Sequence, residues 1–130
     1  MTKEKQFKDK LSVDSLANSI QEMQKSTRTT SFFKNILFRK LKSIKNGELT
    51  IVDGNSKHAF GNPQSEFKAE LEVFSQEFYV FLGSGGTNGA AEAFTAGYWG
   101  SNNLVKLIQL IIKNKKTLLG LESGFARLAN

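Results

Sequence analysis

Hydrophobic and polar positions alternate along this chain with two different periods. In residues 31–45, SFFKNILFRKLKSIK, the side chains of Phe33, Ile36, Leu37, Leu41 and Ile44 share one narrow arc at 100° per residue. Lys34, Arg39, Lys42 and Lys45 lie opposite, and Asn46–Gly47 supplies a stop, which predicts an amphipathic helix over 31–45. Upstream, Leu11, Val13, Leu16 and Ile20 make only a thin apolar stripe, so residues 1–30 read as a basic, weakly ordered arm or a short helix.

The period then changes to two. GELTIVDGNSKHAFG, residues 47–61, predicts a hairpin with Leu49 and Ile51 on one face, a turn at Asp53–Gly54 and a return through Ala59 and Phe60. Phe67, Ala69, Leu71 and Val73 alternate with Lys68, Glu70 and Glu72, a strand with one buried and one wet face. Such a strand favours antiparallel pairing. Phe78, Val80 and Leu82 continue the alternation as a fourth strand. A glycine-rich turn, Gly83–Gly89, leads to a short helix through Ala90, Ala91, Ala93 and Phe94 that ends at Gly97. The helix Asn103–Lys113 carries seven apolar residues and only Lys106, Gln109 and Lys113 as a polar strip, a pattern expected of a mostly buried helix. Leu118, Leu121, Phe125 and Leu128 form a last amphipathic stripe. The pattern as a whole predicts an α+β domain over residues 31–130, an antiparallel sheet of four to five strands packed with helices.

Charge adds a segregation. Residues 1–46 hold eleven Lys/Arg against four Asp/Glu, residues 47–100 two against seven, and residues 101–130 five against one. One surface is expected to prefer anions, the alternative being a solubility bias. Phe32 and Phe38 flank the cations of the 31–45 helix. Phe32, Lys34, Phe38, Arg39 and Lys42 are candidate contacts to an anionic lipid surface, the alternative being that the two rings pack on the sheet. No apolar run reaches the ~20 residues of a membrane span, and the N-terminus lacks a secretory pattern, so a cytoplasmic protein is expected.

Catalytic motifs are sparse. Gly83-Ser-Gly85-Gly86-Thr-Asn-Gly89 puts Asn88 where a dinucleotide fingerprint needs its third glycine, and no Gly-Lys-Ser/Thr follows for a phosphate loop. The chain has no cysteine and a single histidine, His58, which excludes thiolate chemistry and a histidine cluster. Glu70 and Glu72 share their face with Lys68 and read as solvated. Glu92 lies among alanines, as a satisfied or exposed carboxylate. Catalytic, cofactor and metal sites are not expected in this chain.

The stretch from Gly47 to Leu128 resembles the N-terminal domain of bacterial cyclopropane-fatty-acyl-phospholipid synthases. The resemblance is carried by Gly47–Leu49, Asp53–Gly54, Phe60–Gly61 and Ala69–Val73, and above all by Gly89-Ala-Ala-Glu92-Ala93-Phe94-Thr-Ala-Gly97-Tyr-Trp99, which is similar to a G-x-x-E-A-Tyr-x-x-G-x-W pattern. Phe94 stands where tyrosine is usual, and Gly100–Ser101 replaces an acidic turn. The resemblance implies a sterol-carrier-like fold enclosing an apolar groove, with Phe81, Glu92, Phe94 and Trp99 as groove or packing candidates. It implies a non-catalytic accessory domain of an S-adenosylmethionine-dependent methyltransferase, with the methyl donor and catalytic residues in a C-terminal domain. Expected partners are an anionic phospholipid surface at the inner membrane face and that catalytic domain. Four cations at about 1 kcal/mol each reach only millimolar affinity, so recruitment needs inserted aromatics or a homodimer. A stand-alone carrier of a hydrophobic small molecule is the alternative. A nucleic-acid-binding domain is a weaker one, since no helix-turn-helix or RNA-binding sheet motif is present.

Overall fold

The computed structural model describes residues 13–124. Three helices and four strands follow in the order α1 (Val13–Leu41), β1 (Glu48–Asp53), β2 (Ser56–Gly61), β3 (Lys68–Val73), α2 (Glu77–Thr95), β4 (Trp99–Gly100) and α3 (Leu104–Lys113). The fold class is α+β, as the alternating periods predict. Leu49, Ile51, Phe60, Ala69, Leu71 and Val73 turn one face of the sheet inward against Phe33, Leu37, Leu41, Phe78, Tyr79, Leu107 and Leu110 from the helices. The opposite face carries residues such as Lys68, Glu70 and Glu72 and stays wet. This is a two-layer arrangement built on period-two strands.

The sheet order is β2-β1-β3-β4. The β1–β2 hairpin is antiparallel, with Leu49 opposite Phe60 and Ile51 opposite His58. β3 then passes to the far side of β1 and pairs with it in parallel, Leu49 opposite Ala69 and Ile51 opposite Leu71. The expected all-antiparallel sheet is therefore corrected to a mixed one. A single wet face marks a sheet covered on one side and does not fix strand direction.

Two helices differ from expectation. α1 runs 29 residues from Val13, so the residues read as an arm or short helix are helical from position 13 onward. It stops at Leu41, short of Lys45, in a turn where Ser43 N–H donates to the Lys40 carbonyl and Ile44 N–H to that of Leu41. The expected fourth strand at Phe78–Leu82 is instead the first half of α2. Ser75 Oγ accepts the Glu77 N–H at 3.3 Å at the helix start. Phe78, Tyr79, Gly83, Gly86, Gly89 and Ala93 are then buried at helical intervals.

The glycines make that buried stripe possible. A Cβ at Gly83 would overlap the Phe33 ring, so its absence lets α1 and α2 approach closely. Gly86 breaks the helix with φ 58° and ψ −132°, a conformation costly for any residue with a side chain. A Cβ there would strike the Glu122 carbonyl, which accepts the Thr87 N–H at 3.1 Å. The segment after α3 is thus seated in the notch of α2. Leu118 is buried and Leu121 partly so, while Phe125 and Leu128 lie outside the described residues. α2 ends as expected at Gly97, where the Tyr98 N–H reaches the Ala93 carbonyl and the Gly97 N–H that of Phe94.

Candidate functional site

Asp53 ends β1 on the same face as Leu49 and Ile51, so alternation carries a carboxylate to the rim of the core. Side chains from α1 and from the start of α2 converge on it. Lys34 Nζ of α1 lies 3.0 Å from Oδ2, Tyr79 Oη of α2 donates to Oδ2 at 2.7 Å, and Gln76 Nε2 donates to Oδ1 at 2.8 Å. Lys34 also sits over the Phe38 and Tyr79 rings, at 5.6 and 5.4 Å. Burial alone would raise the Asp53 carboxyl; the hydrogen bonds from Tyr79 and Lys34, the Lys34 charge and Gln76 outweigh it and hold its pKa below the usual value. Tyr79 has no exposed surface, and burial, followed by its bond to Asp53 and that residue's charge, pushes its hydroxyl far up. Every donor around Asp53 is engaged within the fold, so the cluster fastens α1 and α2 to the sheet.

Asn114, just beyond α3, plays a similar part at the other end. Its Oδ1 accepts from the Lys45 and Asn46 N–H groups at 3.1 and 3.0 Å, and its Nδ2 donates to the Asn46 and Leu110 carbonyls at 2.8 Å each. The buried amide has all its capacity satisfied.

The residues proposed from sequence as lipid contacts separate in the structure. Phe32, Arg39 and Lys42 are exposed. Phe38 packs between His58, Phe60 and Tyr79, with ring centroids at 4.7, 5.2 and 6.2 Å, and Lys34 is held by Asp53. The groove or packing candidates gather near the α2–β4 joint. Phe81 meets Tyr98 at 5.3 Å, Phe94 meets Trp99 at 5.1 Å, and Trp99 Nε1 donates to the Ala90 carbonyl at 2.8 Å. The Glu92 carboxylate lies at the surface. Phe94 remains 44% exposed, and Phe74, beside Gly100, is also exposed.

The most exposed apolar surface of the compact body is on α3, where sequence pattern pointed to burial. Only Leu107 and Leu110 are buried; Val105 is 66% exposed and Ile112 63%, with Ile108 and Ile111 also open. The polar strip faces Phe67 instead, with Lys106 and Lys113 Nζ 5.3 and 4.0 Å from its ring centre. Val105, Ile108, Ile111 and Ile112 form an aliphatic ridge spanning roughly 120° of the helix. Lys113, Lys115 and Lys116 are exposed at the C-terminal end, and Leu119 is exposed in the turn that follows. The signal was available in the sequence: seven apolar residues encircle the helix, and a two-layer domain covers one side of it.

Among the described residues, no cluster of three or more His, Cys, Asp or Glu is arranged to hold a metal ion, and no helix is long and apolar enough to cross a membrane. Compared with protein-family models, curated proteins and solved structures, the chain matches none of them.

Proposed function

We propose that this chain is a non-catalytic accessory domain, of the kind found at the N-terminus of cyclopropane-fatty-acyl-phospholipid synthases, that engages an anionic phospholipid surface through α3. The observation that carries the reading is the aliphatic ridge of Val105, Ile108, Ile111 and Ile112, open to water, with Lys115 and Lys116 exposed just beyond the helix. An apolar helix face bordered by cations is the arrangement by which a helix lies in the headgroup region of an anionic bilayer. The same reading assigns S-adenosylmethionine and the methyl-transfer chemistry to a separate catalytic domain, and places the protein at the inner membrane face.

The magnitudes favour α3 over the α1 cations as the docking element. Sinking the exposed part of four aliphatic side chains gives roughly 1 kcal/mol apiece. Two lysines near an anionic surface, Lys115 and Lys116, add about 1 kcal/mol each. The sum, about 6 kcal/mol, corresponds to roughly 40 micromolar, against millimolar for the α1 cations alone.

Flotation with equimolar phosphatidylglycerol–phosphatidylcholine vesicles at low salt tests the reading. The full chain is expected to float. The double variant Ile108→Glu/Ile112→Glu is expected to stay in solution with its helical circular dichroism retained, because both positions are already exposed. Failure of the unaltered chain to float, or a double variant that floats equally well, overturns the proposal. Salt-sensitive DNA binding without lipid binding would favour a nucleic-acid partner instead.

A further inference from the structure

The first half of α1 stands apart from the compact body. From Val13 to Thr29 every residue except Ser15 is exposed, and the buried residues of the helix, Phe33, Leu37 and Leu41, all lie in its second half. Yet this half is patterned. Val13, Leu16, Ile20 and Met23 recur at intervals of three, four and three, 81%, 49%, 53% and 68% exposed respectively. The same spacing continues through Thr27 and Thr30. Thr27 donates its hydroxyl to the Met23 carbonyl at 2.9 Å, so that group is satisfied inside the helix. Alternating intervals of three and four are the a/d seam of a helix that packs lengthwise on another helix.

We propose that this seam is a self-association surface, and that a second copy of the chain packs its own α1 against it in antiparallel orientation. Charge placement selects the occupant. The positions flanking the seam are Ala17, Ser19, Gln24 and Ser26, all uncharged, so two copies approach without like-charge contact at the e and g positions. Charges occur only on the outer positions, and residues 13–30 hold two acids, Asp14 and Glu22, against two bases, Lys25 and Arg28. A segment of zero net charge with no aromatic residue lacks what an interfacial helix uses on an anionic bilayer. The acids lie toward the N-terminal end and the bases toward the other. Antiparallel pairing sets the acidic half of each helix beside the basic half of its partner and opposes the two helix dipoles. A parallel pair would align like with like.

The antiparallel register follows from the a/d spacing. Ile20 layers with Met23 of the second copy, and Leu16 and Val13 layer with that copy's Thr27 and Thr30. The compact bodies then sit at opposite ends of the paired helices, leaving both α3 ridges outside the seam.

Sedimentation equilibrium of the full chain over a range of concentrations tests the pairing. The apparent mass is expected to rise about twofold with concentration, as for a two-fold symmetric dimer. Ile20→Glu is expected to hold the chain at monomer mass with an unchanged compact fold. The chain has no cysteine, so orientation is read by single replacements. A mixture of Ile20→Cys and Met23→Cys chains is expected to cross-link to each other under mild oxidation, faster than Ile20→Cys links to itself. Monomer mass at every concentration, or a dimer that survives Ile20→Glu, overturns the proposal. Preferential Ile20→Cys self-linking overturns the antiparallel arrangement. Loss of vesicle flotation in Ile20→Glu without any change in mass would assign the seam to a membrane instead. Because the α3 reading is tested by Ile108→Glu/Ile112→Glu and this one by Ile20→Glu, either can fail alone.

Discussion

Asp53 shows how one inward-facing carboxylate can organise its surroundings. Its pKa lies below the unfolded value, so the stabilisation it provides is present above about pH 4 and is lost as the pH falls through the folded value. Tyr79 works in the opposite sense. Its pKa is raised, so its contribution is complete below about pH 10 and declines as the pH rises above that. Asp53→Asn, measured by urea unfolding from pH 7 to pH 2, is expected to cost about 1–2 kcal/mol at neutral pH by leaving Lys34 without its counter-charge. Its acid limb should be flatter than that of the unaltered chain. Asn114→Ala removes four hydrogen bonds to a buried junction and is expected to cost about 2–4 kcal/mol in the same assay. In the sequence, Asp53 reads as a turn residue. The inward role was legible from Leu49 and Ile51, four and two positions earlier, but its partners were not, because Lys34, Gln76 and Tyr79 come from segments that only the fold brings together.

At the scale of elements, the hairpin, β3 and the Gly97 stop were legible because each rests on local chemistry. α2 was not. Phe78-Tyr-Val-Phe-Leu82 is a short run without polar interruption, which fits a strand or a buried helix equally well. The helix wins because Gly83, Gly86, Gly89 and Ala93 extend the buried stripe where Phe33 and the Glu122 segment press closest. Neighbouring glycines should therefore respond differently to substitution. Gly86→Ala is expected to cost about 2–4 kcal/mol in thermal or urea unfolding, from backbone strain and the Glu122 clash. Gly85→Ala meets open space within a helix and should be neutral or stabilising by up to about 1 kcal/mol. Equal effects would mean that the kink is not fixed by its contacts. The α3 ridge was misread for a different reason, since the apolar pattern of a helix states how much surface could be covered and not whether a covering layer exists.

For the whole molecule, the outstanding asymmetry is between a compact body and a helix that extends beyond it. Amides of residues 14–28 are expected to exchange with solvent far faster than those of residues 33–41 in dilute protein, and to gain protection as concentration rises if the seam pairs. Uniform protection along α1 at low concentration would contradict its independence from the body. The two-layer class and the hairpin could be read from sequence; the parallel β1–β3 pairing could not, because strand direction depends on the route the chain takes across the sheet. Trp99, the chain's one tryptophan, has its indole fixed between the Ala90 carbonyl and the rings of Phe78 and Phe94. None of these partners is altered in Ile20→Glu or in Ile108→Glu/Ile112→Glu. The chain thus carries its own optical gauge of folding: an emission spectrum that stays in place while dimerisation or vesicle capture disappears identifies a surface that has been lost without the body having opened.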